Sequence, residues 1–332
     1  MHVLVVGGAG YIGSTTAAHF LAAGHHVTIY DNLSRGHLAA IPQEAAFVQG
    51  DAGNRAALDI LFQTNHFDAV VHFAAYIEAG ESMQLPGKYF HNNVVNSQVL
   101  FDAMLTHGVK RLVFSSTAAV YASKNAPLDE GDALGPTNVY GETKLMIETM
   151  IRWYQRQAGL DFAILRYFNA CGAMLNGNGQ AIRGEAHQPE THLIPLTLQV
   201  PLGQRESIKI FGDDYPTTDG TCVRDYVHVE DLASAHVLAL AAMDDRHAMT
   251  YNIGNGQGYS VKQVIDVTRD VTGHAIPSET VERRPGDSAV LVASAERIND
   301  ELGWMPRYPT LNSIIASAWT WHQSHPNGYK DE

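Results

Sequence analysis

Short apolar runs alternate with segments of helical periodicity through the first half of the chain. The runs that predict strands are Val3–Val6, Val27–Tyr30, Ala69–His72, Leu112–Ser115 and Phe162–Leu165. Helical spacing of apolar residues is clearest in Gly10–Ala23, Arg55–Gln63, Asn93–Leu105 and Gly141–Gln157. Strands that alternate with helices favour right-handed crossovers and a parallel sheet with helices on both faces.

The pattern changes after about Phe168. Residues Cys171–Glu190 are rich in Gly, Asn, Gln and His and have little periodicity, which predicts a long functional loop. Further along, Glu230–Ala242 has helical spacing, and Tyr251–Ile253 has the composition of a strand that returns to the sheet. We therefore predict a Rossmann-type, doubly wound α/β domain over residues 1–168, with returns at about 227–254, and a smaller mixed α/β substrate lobe over 169–332.

A glycine-rich segment follows the first predicted strand and opens the first helix. Its sequence is Gly7-Gly8-Ala9-Gly10-Tyr11-Ile12-Gly13. In dinucleotide-binding folds the first glycine permits a tight turn, the second lets the backbone approach a pyrophosphate, and the third lets the helix pack on the strand. The pyrophosphate then lies at the positive end of the helix dipole. The candidate cofactor-binding residues here are Gly7, Gly10, Tyr11, Ile12 and Gly13.

Asp31 indicates which dinucleotide this loop is expected to bind. It follows the second strand, where its carboxylate can accept hydrogen bonds from ribose hydroxyls and would repel the 2′-phosphate of NADP. The sequence therefore favours NAD. Arg35 is the one feature that favours NADP, and we interpret it as a solvated loop charge. Further candidates at the carboxyl ends of the strands are Asn32, Asp51, Ala52, Phe73, Ala74 and Ala75.

A second group of residues predicts proton transfer beside that cofactor. Tyr140 and Lys144 are four positions apart near the start of a predicted helix, so their side chains share one face. An ammonium near a phenol lowers the phenol pKa from about 10 toward neutrality, and such a tyrosine can act as a general base on an alcohol. Thr117 follows the strand upstream, where its hydroxyl can hydrogen-bond the same reacting oxygen. These three are the candidate catalytic residues.

Longer motifs carry a family resemblance. The glycine loop and residues 115–121 and 140–144 resemble the extended short-chain dehydrogenases/reductases. Downstream, the chain is similar to the UDP-glucose 4-epimerases of that family over residues 165–169, 190–195, 211–217, 219–229 and 283–287. The resemblance extends over essentially the whole chain. It implies a UDP-sugar substrate, bound NAD, a homodimer, and interconversion of UDP-glucose and UDP-galactose through transient oxidation at C4, with Tyr140 as the base.

The resemblance also implies roles for individual residues. Tyr140 and Thr117 contact the sugar, while Asn93, Lys144 and Phe168 lie against the cofactor. The UDP-sugar pocket is expected to contain Asn169, His192, Leu193, Phe211, Arg224, Arg284, Asp287 and Leu291. Two separated arginines also suit a diphosphate on chemical grounds, because each can donate two hydrogen bonds to it.

Leu291 is expected to face the 2-substituent of the sugar. Relatives with a tyrosine at this position look restricted to plain hexoses, and those with a small residue look permissive toward N-acetylhexosamines. Leucine is intermediate in volume, and a packed wall does not accommodate extra atoms without strain. We therefore predict a preference for UDP-glucose and UDP-galactose, with weak activity on the N-acetyl forms.

His187 and His192 raise the question of a metal site. They are close in sequence, but a metal site needs a third ligand at suitable spacing, and the sequence shows none. We therefore interpret both as loop histidines and predict no metal. The two cysteines, Cys171 and Cys222, are too few for a disulfide framework and are expected to be reduced.

Composition limits the partners and the location. The 332 residues include 22 Lys and Arg against 35 Asp and Glu, and the net charge of −13 argues against nucleic-acid binding. There is no basic signal-peptide region, and no apolar run approaches the roughly 20 residues of a membrane helix. We expect a cytoplasmic protein without membrane contact. Apolar residues on several faces of the helices at Asn93–Leu105 and Gly141–Gln157 predict a homodimer.

Other functions stay open from the sequence. UDP-N-acetylhexosamines and UDP-pentoses are alternative substrates, and a dehydratase or decarboxylase of the same fold is an alternative enzyme. A dehydratase usually has Asp-Glu after the strand-end hydroxyl, where this chain has Ala118 and Ala119. A dinucleotide-sensing protein would not need Tyr140, Lys144 and Thr117 together.

Overall fold

A computed structural model describes residues 1–124, 126–284 and 287–330. The strands are β1 His2–Val6, β2 His26–Asp31, β3 Ala46–Gln49, β4 Ala69–His72, β5 Arg111–Thr117, β6 Asp161–Tyr167, β7 Asn169–Cys171, β8 Met174–Leu175, β9 Ala181–Arg183, β10 Ile208–Phe211, β11 Val223–His228, β12 Ala248–Ile253, β13 Gly258–Ser260, β14 Ser278–Val281 and β15 Val290–Leu291. The α-helices are α1 Tyr11–Ala22, α2 Arg55–Thr64, α3 Ala79–Gln84, α4 Pro86–Tyr89, α5 Asn96–Thr106, α6 Val139–Ala158, α7 Leu193–Leu198, α8 Val229–Ala241, α9 Val261–Thr272, α10 Glu296–Leu302 and α11 Leu311–Ser324.

The main sheet is parallel throughout, in the order β12-β6-β5-β4-β1-β2-β3. Alternate residues of β1 face opposite layers. Val3 and Val5 pack with residues of α1 and α8, and Leu4 and Val6 pack with residues of α2, α5 and α6. This confirms the doubly wound α/β sheet. The strand order reverses between β1 and β4, where ligands bind in sheets of this type.

The predicted return to the sheet is β12, which pairs with β6 at the sheet edge. The remaining strands are short and belong to small separate sheets: β11 pairs with β7, β13 and β15, and β10 pairs with β14. The segment Cys171–Glu190, expected to be a loop, contains the antiparallel pair β8 and β9. These strands are two and three residues long, too short for an alternating pattern to be visible in the sequence.

One helix begins differently from its prediction. The segment expected to be helical from Asn93 starts earlier, with a π-helical turn over Phe90–Val95 that continues into α5. Such turns occur within α-helices and do not change the spacing of apolar residues enough to be seen in a sequence. Among the described residues, no helix is long and apolar enough to cross a membrane.

Candidate active site

Backbone contacts shape the loop between β1 and α1. Gly7 has a φ of +81°, and a Cβ atom at this position would lie 2.5 Å from the Ala74 nitrogen. A Cβ atom at Gly13 would lie 2.3 Å from the Gly7 oxygen. Only glycine lets the turn, the end of β4 and the first turn of α1 approach this closely. Tyr11 then ties the helix start to the C-terminal half, because its hydroxyl donates to the Gly172 oxygen at 2.6 Å.

Asp31 is buried at the end of β2 with both carboxylate oxygens already in use. Oδ2 accepts from the Ala9 nitrogen at 3.0 Å, and Oδ1 accepts from the Leu33 nitrogen at 2.8 Å. Burial raises the Asp31 pKa, and these two hydrogen bonds oppose that rise. Each oxygen keeps capacity for a further bond, so the carboxylate can still accept from ribose hydroxyls.

Arg35 is a loop residue whose side chain is 34% exposed, but its charge is also paired within the protein. Its guanidinium lies 3.4 Å from a carboxylate oxygen of Glu78 and donates to the Gln188 oxygen. These partners are distant in sequence, which is why the loop composition did not reveal them. Arg35 and Glu78 both line the cavity described next.

One cavity, of about 320 Å³, gathers most of the predicted site residues, and its size is within the range of small-molecule sites. The predicted residues that line it are Gly7, Gly10, Tyr11, Ile12, Gly13, Asp31, Asn32, Asp51, Ala52, Phe73, Ala74, Ala75, Thr117, Tyr140, Lys144, Phe168, Asn169 and His192. The cofactor loop and the catalytic group therefore share one space, although more than 100 positions separate Gly13 from Thr117 in the sequence.

Asn93 lies behind the wall of this cavity. It is fully buried, accepts from the Tyr76 nitrogen at 2.9 Å, and donates to the Tyr76 oxygen at 3.0 Å and to the Thr143 hydroxyl at 3.1 Å. Tyr76 itself lines the cavity. In this structure Asn93 therefore fixes the backbone of the wall and joins it to α6.

Tyr140, Lys144 and Thr117 meet at the junction of β5 and α6. Asn138 caps α6 by accepting from the Gly141 nitrogen at 2.9 Å, and the Tyr140 nitrogen donates to the Ser82 hydroxyl at 3.1 Å. One turn on, the Lys144 ammonium donates to the Ser115 oxygen of β5 at 2.8 Å. The Thr117 hydroxyl is near enough to the Tyr140 phenol to act against the rise of its pKa.

In the protein without a bound cofactor, burial has the largest effect on the pKa values of Tyr140 and Lys144. It raises the Tyr140 pKa to about 12, against the opposing effect of the Thr117 hydroxyl. Burial likewise lowers the Lys144 pKa to about 7, partly offset by the nearby Glu148 carboxylate. The expected lowering of the phenol pKa is therefore not produced by the side chains of this chain.

A buried polar network lies beneath Lys144, one helical turn further along α6. Glu148 accepts from the Ser116 hydroxyl at 2.7 Å and from the Arg166 guanidinium at 2.9 and 2.7 Å. Arg166 also donates to the Tyr121 hydroxyl at 2.8 Å, which in turn donates to Asn252 at 2.7 Å. The sequence analysis missed this network. Arg166 lies within an apolar strand, and that was the available clue.

The remaining predicted residues form a second group on the C-terminal lobe. Arg224 of β11 lies 3.2 Å from the Asp287 carboxylate and is in register with Leu291 of β15. The Arg284 guanidinium lies over the Phe211 ring, 3.9 Å from its centre. These residues do not line the first cavity. Pro285 and Gly286, which belong to the motif at 283–287, lie outside the described residues.

Two contacts join this second group to the catalytic region. Leu291 is partly buried against a hydrophobic cluster that contains Ala118 and Phe168. Ala118 directly follows Thr117 in the sequence, and Phe168 directly follows β6. Asn169 donates to the Asp225 oxygen of β11 at 2.9 Å and also lines the cavity. The last predicted residue, Leu193, begins α7 and is partly buried in the hydrophobic core of the lobe.

Known proteins that are similar to this chain in sequence and in fold include UDP-glucose 4-epimerases. Residues 3–254 match the NAD dependent epimerase/dehydratase family. A UDP-glucose 4-epimerase of Halalkalibacterium halodurans is 51% identical, with 100% of this chain and 98% of the relative covered. A crystal structure of a UDP-glucose 4-epimerase has a TM-score of 0.95, is 48% identical, and matches 99% of this chain and 100% of its own.

The chain is also similar to a crystal structure of the Bifidobacterium longum UDP-glucose 4-epimerase in complex with NAD⁺ and UDP. The TM-score is 0.93 at 36% identity, and the match covers 99% of this chain and 100% of the other. Identity at this level over whole chains is accompanied by the same fold. The chain therefore belongs to the NAD dependent epimerase/dehydratase family and, within it, to the UDP-glucose 4-epimerases.

Proposed function

We propose that this enzyme interconverts UDP-glucose and UDP-galactose through transient oxidation at C4 of the sugar. The observation that carries the proposal is the position of Tyr140. Tyr140 and Thr117 line the same cavity as the glycine loop and Asp31. A general base is therefore placed beside a dinucleotide site, which is the arrangement that oxidation of an alcohol requires.

The residues present fit NAD. The closely packed turn at Gly7 and Gly13 leaves no side chain between the helix N-terminus and a pyrophosphate, and the buried Asp31 suits unphosphorylated ribose. When bound, NAD supplies a hydride acceptor and donor for C4 and a positive charge close to the phenol. Structures of the family that contain NAD, such as the Bifidobacterium longum enzyme, support this assignment.

The chain's own residues manage the proton. Tyr140 accepts the proton of the sugar 4-hydroxyl, while the Thr117 hydroxyl holds the same oxygen in place. Lys144 is fixed by the Ser115 oxygen one helical turn from Tyr140. In the protein alone the Tyr140 pKa stays raised, at about 12, so the phenolate would be favoured only with the positive charge that NAD supplies when bound. In the return step, Tyr140 gives the proton back to the oxygen of the opposite epimer.

The second group of residues holds the nucleotide. Arg224 and Arg284 would bind the diphosphate, Asp287 a ribose hydroxyl, and Phe211 would pack against the uridine side of the ligand. Arg224 is already paired with Asp287 at 3.2 Å, so the two side chains are mutually oriented. Asn169, His192 and Leu193 complete the proposed wall between this group and the cavity.

We also propose a cytoplasmic homodimer. Along α6, Ile147 and Ile151 are buried in the core of the subunit, but Trp153 is 56% exposed and Met146 39% exposed. Val95, just before α5, is 43% exposed. Pairing these helices across a two-fold axis would cover the exposed side chains in a helix bundle.

One assay tests the proposed reaction. The purified holoenzyme is given UDP-galactose alone, the product sugar is identified, and the absorbance of reduced nicotinamide is followed. We expect UDP-glucose to form without accumulation of free NADH, because the cofactor is regenerated in each cycle. NADH that rises in proportion to product would instead identify a simple dehydrogenase.

A further inference from the structure

Four side chains converge in the segment that leads into α7, and all but Glu190 line the cavity. They are Glu185, His187, Glu190 and His192, and we call them the Glu–His cluster. From each residue, one atom able to bind a metal lies within 4.8 Å of the corresponding atoms of the other three. The sequence spacing showed only two histidines without a third partner. The structure adds two carboxylates, one from each side of His187.

The nitrogen and oxygen atoms of the cluster already point at one another. His192 Nδ1 lies 2.8 Å from Glu185 Oε1 and 2.8 Å from Glu190 Oε1, and His187 Nδ1 lies 3.1 Å from Glu185 Oε1. Ligand atoms that share one zinc ion lie about 3.3 Å apart when each bond is about 2.0 Å. A zinc ion could therefore replace the protons between these nitrogen and oxygen atoms if the side chains moved apart by only a few tenths of an ångström.

The backbone of this segment is held by residues outside the cluster. The Trp321 indole donates to the backbone oxygen of Glu185 at 2.9 Å, and a His37 ring nitrogen lies 3.2 Å from the backbone oxygen of Ala186. Arg35 donates to the backbone oxygen of Gln188. The Glu190 carboxylate also accepts a hydrogen bond from the backbone nitrogen of His192 at 2.7 Å. The four side chains are thus oriented before any ion binds, which is what a metal site requires of its surroundings.

Charge and chemistry point to one class of ligand. The Glu185 side chain is only 5% exposed and that of Glu190 9% exposed, so two negative charges are held in a nearly buried space. A divalent cation balances both charges, with the imidazoles neutral. Two imidazole nitrogens and two carboxylates suit Zn²⁺, whereas Mg²⁺ and Ca²⁺ prefer oxygen atoms alone.

We propose that the Glu–His cluster is a binding site for a divalent transition-metal ion of the zinc class. The cluster borders the same cavity as Tyr140 and the glycine loop, and the His187 and Tyr11 ring centres are 6.5 Å apart. It contains none of the residues assigned to proton transfer, so the ion would act on the shape of the cavity wall and not on the proton. It would fix His192 and the start of α7 at Leu193, next to the proposed nucleotide wall. The inference does not depend on the proposed function, because binding is measured without turnover.

Direct titration tests the site. The NAD-loaded enzyme is treated with a chelator, Zn²⁺ is added in a calorimeter, and zinc content is measured after gel filtration. We expect one ion per chain. Glu185→Gln and His187→Asn should each weaken binding by about 10- to 100-fold or more, because each removes a ligand.

His247→Asn is the matched control. His247 pairs with the Asp161 carboxylate at 3.0 Å and is not a member of the Glu–His cluster. This variant should bind Zn²⁺ as the unaltered enzyme does. Absence of binding in the unaltered enzyme, or equal affinity in His187→Asn, would overturn the proposal. If Glu185→Gln loses NAD or helical content, His187→Asn decides the outcome, because its side chain is 21% exposed and its replacement disturbs less packing.

Discussion

The two walls of the active site are built in different ways. On the sheet side, recognition comes from consecutive βα turns of one parallel sheet, with Gly7, Asp31 and Lys144 buried or in close backbone contact. On the C-terminal side, Arg224 and Leu291 come from strands of six and two residues in a small separate sheet. The first wall would recognise its ligand by backbone shape, and the second by the long side chains of Arg224 and Arg284.

This difference predicts unequal tolerance to substitution. A buried group with fixed partners cannot be replaced without loss of its contacts, whereas a half-exposed side chain on a short strand can shift. Changes on the sheet side should therefore affect catalysis and stability strongly. Changes on the C-terminal side should mainly alter which substrate is preferred.

The largest effect is expected from Tyr140→Phe. Phenylalanine keeps the ring and its packing but removes the proton acceptor, and loss of a general base typically lowers kcat by about 10²–10⁴-fold. Folding and bound NAD should be retained. The measurement is the initial rate with UDP-galactose together with the NAD content of the purified protein.

Tyr154→Phe is the control for this variant. Tyr154 lies on the same helix, and its hydroxyl donates to Asp102 at 2.6 Å, away from the cavity. Its removal should leave kcat within about threefold, given the small free energy of one part-exposed hydrogen bond. A Tyr140→Phe enzyme with near-normal turnover would show that another group is the base.

Next in size is the loss of stability expected in Arg166→Met. This change leaves the Glu148 carboxylate buried without its main partner, and breaking a buried pair costs about 3–5 kcal/mol in the free energy of unfolding. Lys209→Met should cost less than about 1 kcal/mol, because its pair with Glu279 is exposed and long at 3.9 Å. Denaturant unfolding of both variants tests the contrast, and similar losses would contradict it.

The free energy of unfolding should depend on pH through Asp225, a buried carboxyl group of β11 in the C-terminal lobe. Burial raises the Asp225 pKa to about 6, against three opposing backbone hydrogen bonds, from Asn255, Ala293 and Gly256. Since this is above the unfolded value of about 3.9, the folded state binds the proton more tightly, and stability falls as pH rises from about 4 to 6.

The size of this effect is about 3 kcal/mol, from a shift of roughly two pKa units. Asp225→Asn should remove it. The difference in unfolding free energy between the two proteins should therefore change between pH 4 and 7 and stay constant above pH 7. A difference that is flat from pH 4 upward would show that Asp225 has no raised pKa.

The smallest effect is expected at Leu291. Leu291→Ser should raise kcat/KM for UDP-N-acetylglucosamine relative to UDP-glucose by about 10-fold, because the smaller side chain leaves room for the N-acetyl group. Leu291→Tyr should lower this ratio, because the larger side chain fills that space. The plain sugar nucleotide is the internal reference for each enzyme. Unchanged ratios in both variants would place the selective contact elsewhere.

The sequence was most informative where a function depends on local spacing. The glycine loop, Asp31 and the pair Tyr140 and Lys144 are each defined within one βα turn or one helical turn, and the structure brings them into one cavity. The parallel sheet was also predictable, because each strand is an apolar run bounded by helical segments.

Contacts between distant segments were not predictable in this way. The partners Arg35 and Glu78, and Glu148 and Arg166, are 43 and 18 positions apart with no periodic relation, and the salt bridge between Arg224 and Asp287 spans 63 positions. The carboxylates beside His187 were close in sequence, but their orientation depends on Trp321 and Arg35. Such contacts follow from the fold and not from local pattern.

The position of β12 has a consequence for how the chain folds during synthesis. On one face of the main sheet, Val3 belongs to a hydrophobic core with Phe20 of α1. This core is completed by Leu232 and Leu240 of α8 and by Tyr251 of β12. A nascent chain that has reached residue 168 therefore has six strands of the sheet but an uncovered apolar face and an open edge at β6. We expect this half to become protease-resistant on the ribosome only after residue 253 has emerged.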